Sequence, residues 1–350
     1  MYRRPLLQRL DLPSVVVFRA RHLGDMLCAV PALRALRAAL PRTHIALVGL
    51  PWAQQFADRF AHYVDEFIPF PGHPLLPGQA VRQDGLARFY HGLCARGFAL
   101  AIQLHGSGDA SNEIVSGFGA RAMAGFCRGA AVAREHMVLF PYSDVGAEPE
   151  RLQRLMQQLG ASQAGSALEF PLSRQDDEAL RDSGVGAGLA PGSYLCIHPG
   201  ARRRDACWPP QRFAEVGDRL AAEFGLQVVL TGAADEADLT AAVAAHMRHA
   251  AIDAAGALPL GAMAALLRDA RLLLCNDTGV SHIAAGLQLR SVVVFRQPDI
   301  ARWAPLDRLL HRCIWDPDAE RARVVLQHAR ALLSDTSPGR QRSVGIWPYW

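Results

Sequence analysis

The chain has 350 residues, half of them hydrophobic and a fifth charged, which excludes a disordered polypeptide and suits two α/β domains better than one small core. Its formal net charge of +4 does not argue for nucleic acid, and no apolar run approaches the roughly 20 residues needed to span a bilayer. The chain contains no lysine, so all 37 basic residues are arginine; a P-loop lysine, a Schiff base and a lysine general base are excluded.

Taken in chain order, Val15–Phe18 is short, apolar and β-branched and predicts a buried strand. The turn Arg19–Asp25 leads to a helix over Met26–Leu40, with apolar residues at helical spacing and Pro41 closing it. Strands are predicted at Ile45–Leu50, Glu66–Pro69, Ala99–Leu104 and within Gly119–Phe126, with a helix at about Ala53–Phe60 and a prolyl and glycyl loop at Pro69–Gly78. A helix from Pro149 to about Leu159 closes the first half. A short polar helix and the run Gly184-Val-Gly-Ala-Gly then mark the boundary.

The pattern restarts with strands at Tyr194–His198, Gln227–Thr231, Leu272–Asn276 and Ser291–Phe295. Helices are predicted at Pro210–Phe224, Glu236–Met247, Leu260–Arg268, Gly279–Gln288 and Asp318–Leu333. Strands alternating with helices imply βαβ units and parallel sheets. The expected architecture is α/β: two Rossmann-like, doubly wound parallel-sheet domains over residues 1–175 and 176–335, facing across a cleft, with a tail at 336–350. Ligands of such sheets bind at the carboxyl ends of the strands. The N-terminal stretch is interrupted by Gln8, Arg9 and Asp11 and makes a poor signal peptide, so a cytoplasmic location is expected. Seven scattered cysteines without a CxxC pair predict reduced thiols rather than disulfides or a zinc site.

Three clusters carry candidate chemistry. In Arg19-Ala-Arg-His-Leu-Gly-Asp25, Gly24 permits a tight turn and Asp25 falls at a helix start, where it serves either as an N-cap or as a general base. In Asn276-Asp-Thr-Gly-Val-Ser-His282, a strand ends and a helix begins, so free N–H groups and the helix dipole suit a diphosphate. Asp277 and Thr278 are placed to cap that helix, and His282 lies one turn in. In His198-Pro-Gly-Ala-Arg-Arg-Arg-Asp205, followed by Trp208-Pro-Pro, at least one of Arg202, Arg203 and Arg204 is expected to meet phosphate oxygens. Gly232 and Glu236 stand after a strand, at a ribose contact or a turn. Asp316-Pro-Asp318 is formally a DxD, but its place before a helix makes capping the better explanation.

In this order and spacing the clusters resemble glycosyltransferase family 9, the heptosyltransferases. The resemblance runs from Val15 to about Pro305. It rests on R-x-x-x-L-G-D (Arg19 to Asp25), L-P (Leu40, Pro41), I-Q-L-H-G (Ile102–Gly106), H-P-G-A (His198–Ala201) with W-P (Trp208, Pro209), and N-D-T-G-x-x-H (Asn276 to His282).

The resemblance implies a GT-B fold, an N-terminal acceptor lobe and a C-terminal lobe for a nucleotide diphosphate sugar. It also implies an inverting transfer without metal or other cofactor. Asp25 becomes the catalytic base. Gly24, Gly200, Ala201, Arg203, Arg204, Glu236, Asp277, Thr278, Gly279 and His282 become donor-site residues, and Arg21 and His105 acceptor-site residues. The implied partners are a nucleotide-sugar donor, ADP-heptose by family habit, and a lipopolysaccharide core or related glycan at the inner membrane surface. No nucleic-acid partner is implied. Family members commonly carry a lysine two residues before W-P, where this chain has Ala206, which leaves the sugar and base open. A different acceptor, or a nucleotide-sugar binding protein without catalysis, are the alternatives.

Overall fold

A computed structural model describes residues 5–76, 81, 83–162, 165–297 and 299–335; the aromatic tail at 336–350 lies outside the described residues. The chain divides into two compact units. The first runs up to Leu172 and includes Ala301–Leu306; the second takes Ser173–Ile300 and the residues from Asp307 on.

The first unit is built on seven strands: β1 Ser14–Phe18, β2 His44–Gly49, β3 Glu66–Pro69, β4 Leu100–Gln103, β5 Met123–Cys127, β6 Val132–Arg134 and β7 Met137–Pro141. Their order is β3-β2-β1-β4-β5-β7-β6. Val15 to Phe18 are wholly buried, as a strand covered on both faces requires. Val16 sits in register between Ala46 and Ala101, and these pack into a core with Phe18, Val48, Phe98 and Phe118. The expectation of purely parallel pairing fails at one edge, where β6 runs antiparallel to β7. Three-residue β6 and the polar turn Glu135-His136 leave too short a run for strand periodicity to show.

The single helix expected over Met26–Leu40 is two, Leu23–Leu27 and Val30–Ala39. Pro31 is the cause. In the first turn of the second helix its missing N–H is no loss, whereas a continuous helix would lose a hydrogen bond there. A helix at Gln83–Arg96 and another at Ser111–Ser116 fill stretches left unassigned by periodicity.

In the second unit, β8 Tyr194–His198, β9 Gln227–Leu230, β10 Ala251–Asp253, β11 Leu272–Asn276, β12 Ser291–Phe295 and β13 His311–Trp315 form an all-parallel sheet. Its order is β10-β9-β8-β11-β12-β13. The edge strands β10 and β13 were not legible as strands. Leu195, Ile197, Val228, Leu230, Leu272, Leu274, Val292 and Val294 make the core with Trp208 and Phe213. The short polar helix is Arg174–Asp182, opened by a reciprocal capping box between Ser173 and Asp176.

Both sheets begin at a central strand, step outward to one edge, and then cross back to the other side of the first strand. The order therefore reverses between β1 and β4, and again between β8 and β11. Such switch points leave a crevice outside the carboxyl ends of the strands, and the candidate clusters follow β1, β4, β8 and β11.

Candidate active site

At the first switch point, Arg19 leaves the end of β1 and turns inward until it is 1% exposed. Its Nε and Nη2 donate to the Asp25 carbonyl at 2.9 and 2.6 Å, and its Nη1 donates to the Leu104 carbonyl. Nη2 also reaches Glu148 Oε1 at 3.3 Å. One buried guanidinium thus ties the end of β1, the first turn of the following helix, the end of β4 and the helix Glu148–Leu159.

Asp25 is the third residue of helix Leu23–Leu27, whose N-cap is His22 in extended backbone. This corrects the capping alternative for Asp25. Its backbone is fixed by Arg19, while its side chain remains 23% exposed with Arg19 Nη2 at 4.0 Å from Oδ1. A carboxylate held through its backbone, and partly open, suits proton abstraction.

His105 follows β4 and stacks on Phe18 with ring centroids 5.2 Å apart. Its Nδ1 lies 3.2 Å from the Ala20 backbone N–H and accepts from it. In the neutral ring the proton is then on Nε2. Burial, with Arg21 and Arg19 adding to it, pushes His105 down to about 2, so the ring is neutral at physiological pH. Gln103 braces this loop, donating to the His105 carbonyl at 2.6 Å and to Ser111 Oγ at 2.5 Å. Burial lowers the Arg21 guanidinium from its ordinary value, against the pull of Asp25. A Cβ on Gly106 would stand 3.3 Å from Arg21 Nη2. Asp25, Arg21 and His105 are therefore gathered at one switch point.

Sequence reading missed what lies behind them. Glu148 is 2% exposed and receives Arg19, Arg151 Nη1 at 2.8 Å and Arg302 Nε at 3.1 Å. The Tyr142 hydroxyl meets Arg151 and Arg302, each at 2.9 Å. Glu148 is 129 positions from Arg19, and an acidic residue in a first helical turn has an ordinary local explanation.

At the second switch point, Asn276 joins the loops. Its Nδ2 donates to the Pro199 carbonyl at 2.6 Å, and its Oδ1 accepts the Trp208 backbone N–H at 2.8 Å. The N-cap of helix Gly279–Gly286 is Thr278, whose own side chain makes no capping hydrogen bond, contrary to the expectation for that residue. The first amides of such a helix point toward the crevice and suit an anionic group. His282 is buried one turn into this helix. Glu236 accepts the Ala233 N–H at 2.8 Å and lies 3.6 Å from His198 Nε2. Gly200 is what permits this, because a Cβ there would fall 2.2 Å from the Glu236 carboxylate carbon. Gly200→Ala is expected to cost about 1–3 kcal/mol of stability by forcing Glu236 away, as read by denaturant unfolding. A loss within 0.3 kcal/mol, a rough limit of such measurements, would mean the carboxylate shifts without strain.

Arg203 and Arg204 are exposed and already paired. Arg203 bonds Asp205 at 2.5 Å, and Arg204 Nη1 lies 2.9 Å from both oxygens of Asp238. Ala201 is buried beside them. A cation that the motifs did not single out is Arg296, after β12. It donates to the carbonyls of Asp205 at 3.3 Å and Cys207 at 2.8 Å, the residues flanking Ala206. Asp316 is an internal anchor: it accepts Trp208 Nε1 at 2.8 Å and the amides of Glu320 and Arg321 just before helix Ala322–Ser334. Among the described residues no group of three or more His, Cys, Asp or Glu is placed to hold a metal ion.

Known proteins resemble this chain in sequence and fold. The chain is 32% identical over 129 residues to lipopolysaccharide heptosyltransferase 3 of Escherichia coli; the match spans 36% of this chain and 36% of that protein. The solved family 9 glycosyltransferase of Veillonella parvula DSM 2008 superposes with a TM-score of 0.78 at 21% identity, covering 93% of this chain and 98% of its own. E. coli heptosyltransferase WaaC, solved with ADP, gives 0.69 at 19% identity, covering 91% and 99%. At these identities the structural likeness is one of fold, and the fold is GT-B. The family model for glycosyltransferase family 9 (heptosyltransferase) matches residues 86–328, more than half of the chain. The chain therefore belongs to glycosyltransferase family 9.

Proposed function

We propose that the protein is an inverting, metal-independent glycosyltransferase that moves a heptose from a nucleoside diphosphate donor to a lipopolysaccharide core or related glycan. The observation that carries this reading is the second switch point, where a helix start follows Asn276-Asp-Thr-Gly at the end of its strand and Glu236 is seated against Gly200. That edge offers amides to a diphosphate and a carboxylate to a ribose.

Asp25 takes the proton of an acceptor hydroxyl. The acceptor oxygen then attacks the anomeric carbon opposite the diphosphate, and the bond to the diphosphate breaks as the new glycosidic bond forms. Helix amides at Thr278 and Gly279 and nearby arginine stabilise the leaving group, work that a divalent cation does in other enzymes. The solved relative named with ADP supports an adenosine diphosphate donor. Arg296, beside Ala206, supplies positive charge on the loop where the family lysine is missing. Arg21 and neutral His105 face the acceptor, and action on a lipid-linked glycan places the protein at the cytoplasmic membrane surface. No helix among the described residues is long and apolar enough to cross that membrane.

A thermal-shift screen against ADP, GDP, UDP, TDP and ADP-heptose tests the reading. ADP and ADP-heptose are expected to raise the melting temperature selectively, an effect lost in Asp277→Ala. Selective stabilisation by another nucleotide discards heptose; no stabilisation by any sinks the donor site.

A further inference from the structure

Around Asp25 the first unit gathers more positive charge than it neutralises. Arg19 lies against the Asp25 carbonyl, and Arg21 feels Asp25, Glu148, Arg19 and Arg302. Arg151 and Arg302 meet Glu148 at 2.8 and 3.0 Å. Among the described residues the Tyr142 hydroxyl and His105, which burial keeps neutral, also face this cluster. Four guanidiniums among the described residues thus gather around the Asp25 and Glu148 carboxylates. Unopposed, that field would stabilise the Asp25 carboxylate and weaken it as a base.

Glu148 is the opposing charge. Burial pushes its carboxyl up, but Arg19, Arg302 and Arg151 together hold it below its ordinary value, so it stays ionised. It shares Arg19 Nη2 with Asp25: the nitrogen is 3.3 Å from Glu148 Oε1 and 2.6 Å from the Asp25 carbonyl. Arg302 comes from the segment Ala301–Leu306, which returns to the first unit after the second has been built.

We propose that Glu148 is a positioning residue for the reaction, holding Arg19 against the Asp25 backbone and offsetting the arginine charge so that Asp25 can accept a proton. The inference rests on Asp25 being the base but not on the identity of the sugar. It gives opposite signs for two substitutions. Glu148→Gln removes a negative charge and strengthens the positive field; Arg302→Gln, at a side chain 25% exposed, removes a positive charge and weakens it.

The test is a carboxyl 13C titration of the full chain labelled at aspartate, with the Asp25 resonance assigned by its loss in Asp25→Asn. The Asp25 midpoint is expected to fall by about one pH unit in Glu148→Gln and to rise by about half a unit in Arg302→Gln. With ADP-heptose and a deacylated lipopolysaccharide core as substrates, the acid limb of the kcat profile follows the same shifts, and kcat drops about tenfold in Glu148→Gln at unchanged donor KM. Midpoints that stay in place, or move in the same direction in both variants, overturn the proposal. If Glu148→Gln does not fold, the sign of the Arg302→Gln shift decides alone. The titration needs no turnover, so wild-type protein inactive toward ADP-heptose would count against the sugar reading and leave this one standing or falling on its own result.

Discussion

Asp25→Asn is expected to lower kcat by about 10²–10⁴-fold, the usual contribution of a positioned general base. The donor KM and the melting temperature are expected to hold. The reason for so clean a separation is structural. Arg19 grips the backbone carbonyl of Asp25, not its carboxylate, whose nearest guanidinium nitrogen is 4.0 Å away. Asparagine keeps the carbonyl, the helix turn and the side-chain shape. It also sits in the third helical position, where its cost relative to aspartate is the loss of a favourable dipole contact of about 0.3–1 kcal/mol. What it loses outright is basicity. Initial-rate kinetics on ADP-heptose with a core acceptor, beside a nucleotide thermal shift, check both halves. A kcat within a few fold of wild type would remove Asp25 from the chemistry. A parallel loss of nucleotide binding would instead make it part of the donor site.

The central strands and motif loops were legible because their signals are local. Val15–Phe18 and Leu272–Asn276 are continuous apolar runs, the mark of a strand buried on both faces. Gly24 and Gly279 mark the turns that follow. Edge strands β6, β10 and β13 were not legible, since three to five residues with mixed exposure carry no clear period. The break at Pro31 was legible in principle, because proline two positions into a helix reads as a start rather than an interruption. The site divides the same way. Asp25, His105, Gly200 and Asp277 stand in motifs, whereas Glu148, Tyr142 and Arg302 act through contacts between residues 129 to 160 positions apart. Arginine pairing also had no signature in sequence: three consecutive arginines read as a phosphate site, and two of them also pair with nearby aspartates.

Trp208 is where the second unit's stability and its motif edge meet. The indole is wholly buried, packs edge-on against Phe213 at 5.1 Å, and donates to Asp316 at 2.8 Å. Trp208→Ala is expected to cost about 3–5 kcal/mol, combining lost transfer energy with a cavity in a core that cannot collapse onto it. Trp208→Phe fills much of the space but leaves a buried Asp316 oxygen short of a donor, for about 1–3 kcal/mol. Asp316 keeps two backbone amides ahead of the last described helix, so the damage spreads toward Ala322–Ser334. The Trp208 backbone N–H is the donor that orients Asn276, which in turn holds the Pro199 carbonyl. A backbone displaced by the cavity therefore loosens both loops of the second switch point, and nucleotide affinity is expected to fall about tenfold or more in Trp208→Ala while Trp208→Phe stays near wild type. Urea unfolding and ADP titration at a temperature where each variant is folded measure the two effects separately. Equal costs for alanine and phenylalanine would assign the stability to the indole–Asp316 bond rather than to packing, and unchanged affinity in both would show that the backbone N–H orienting Asn276 stays in place without the indole.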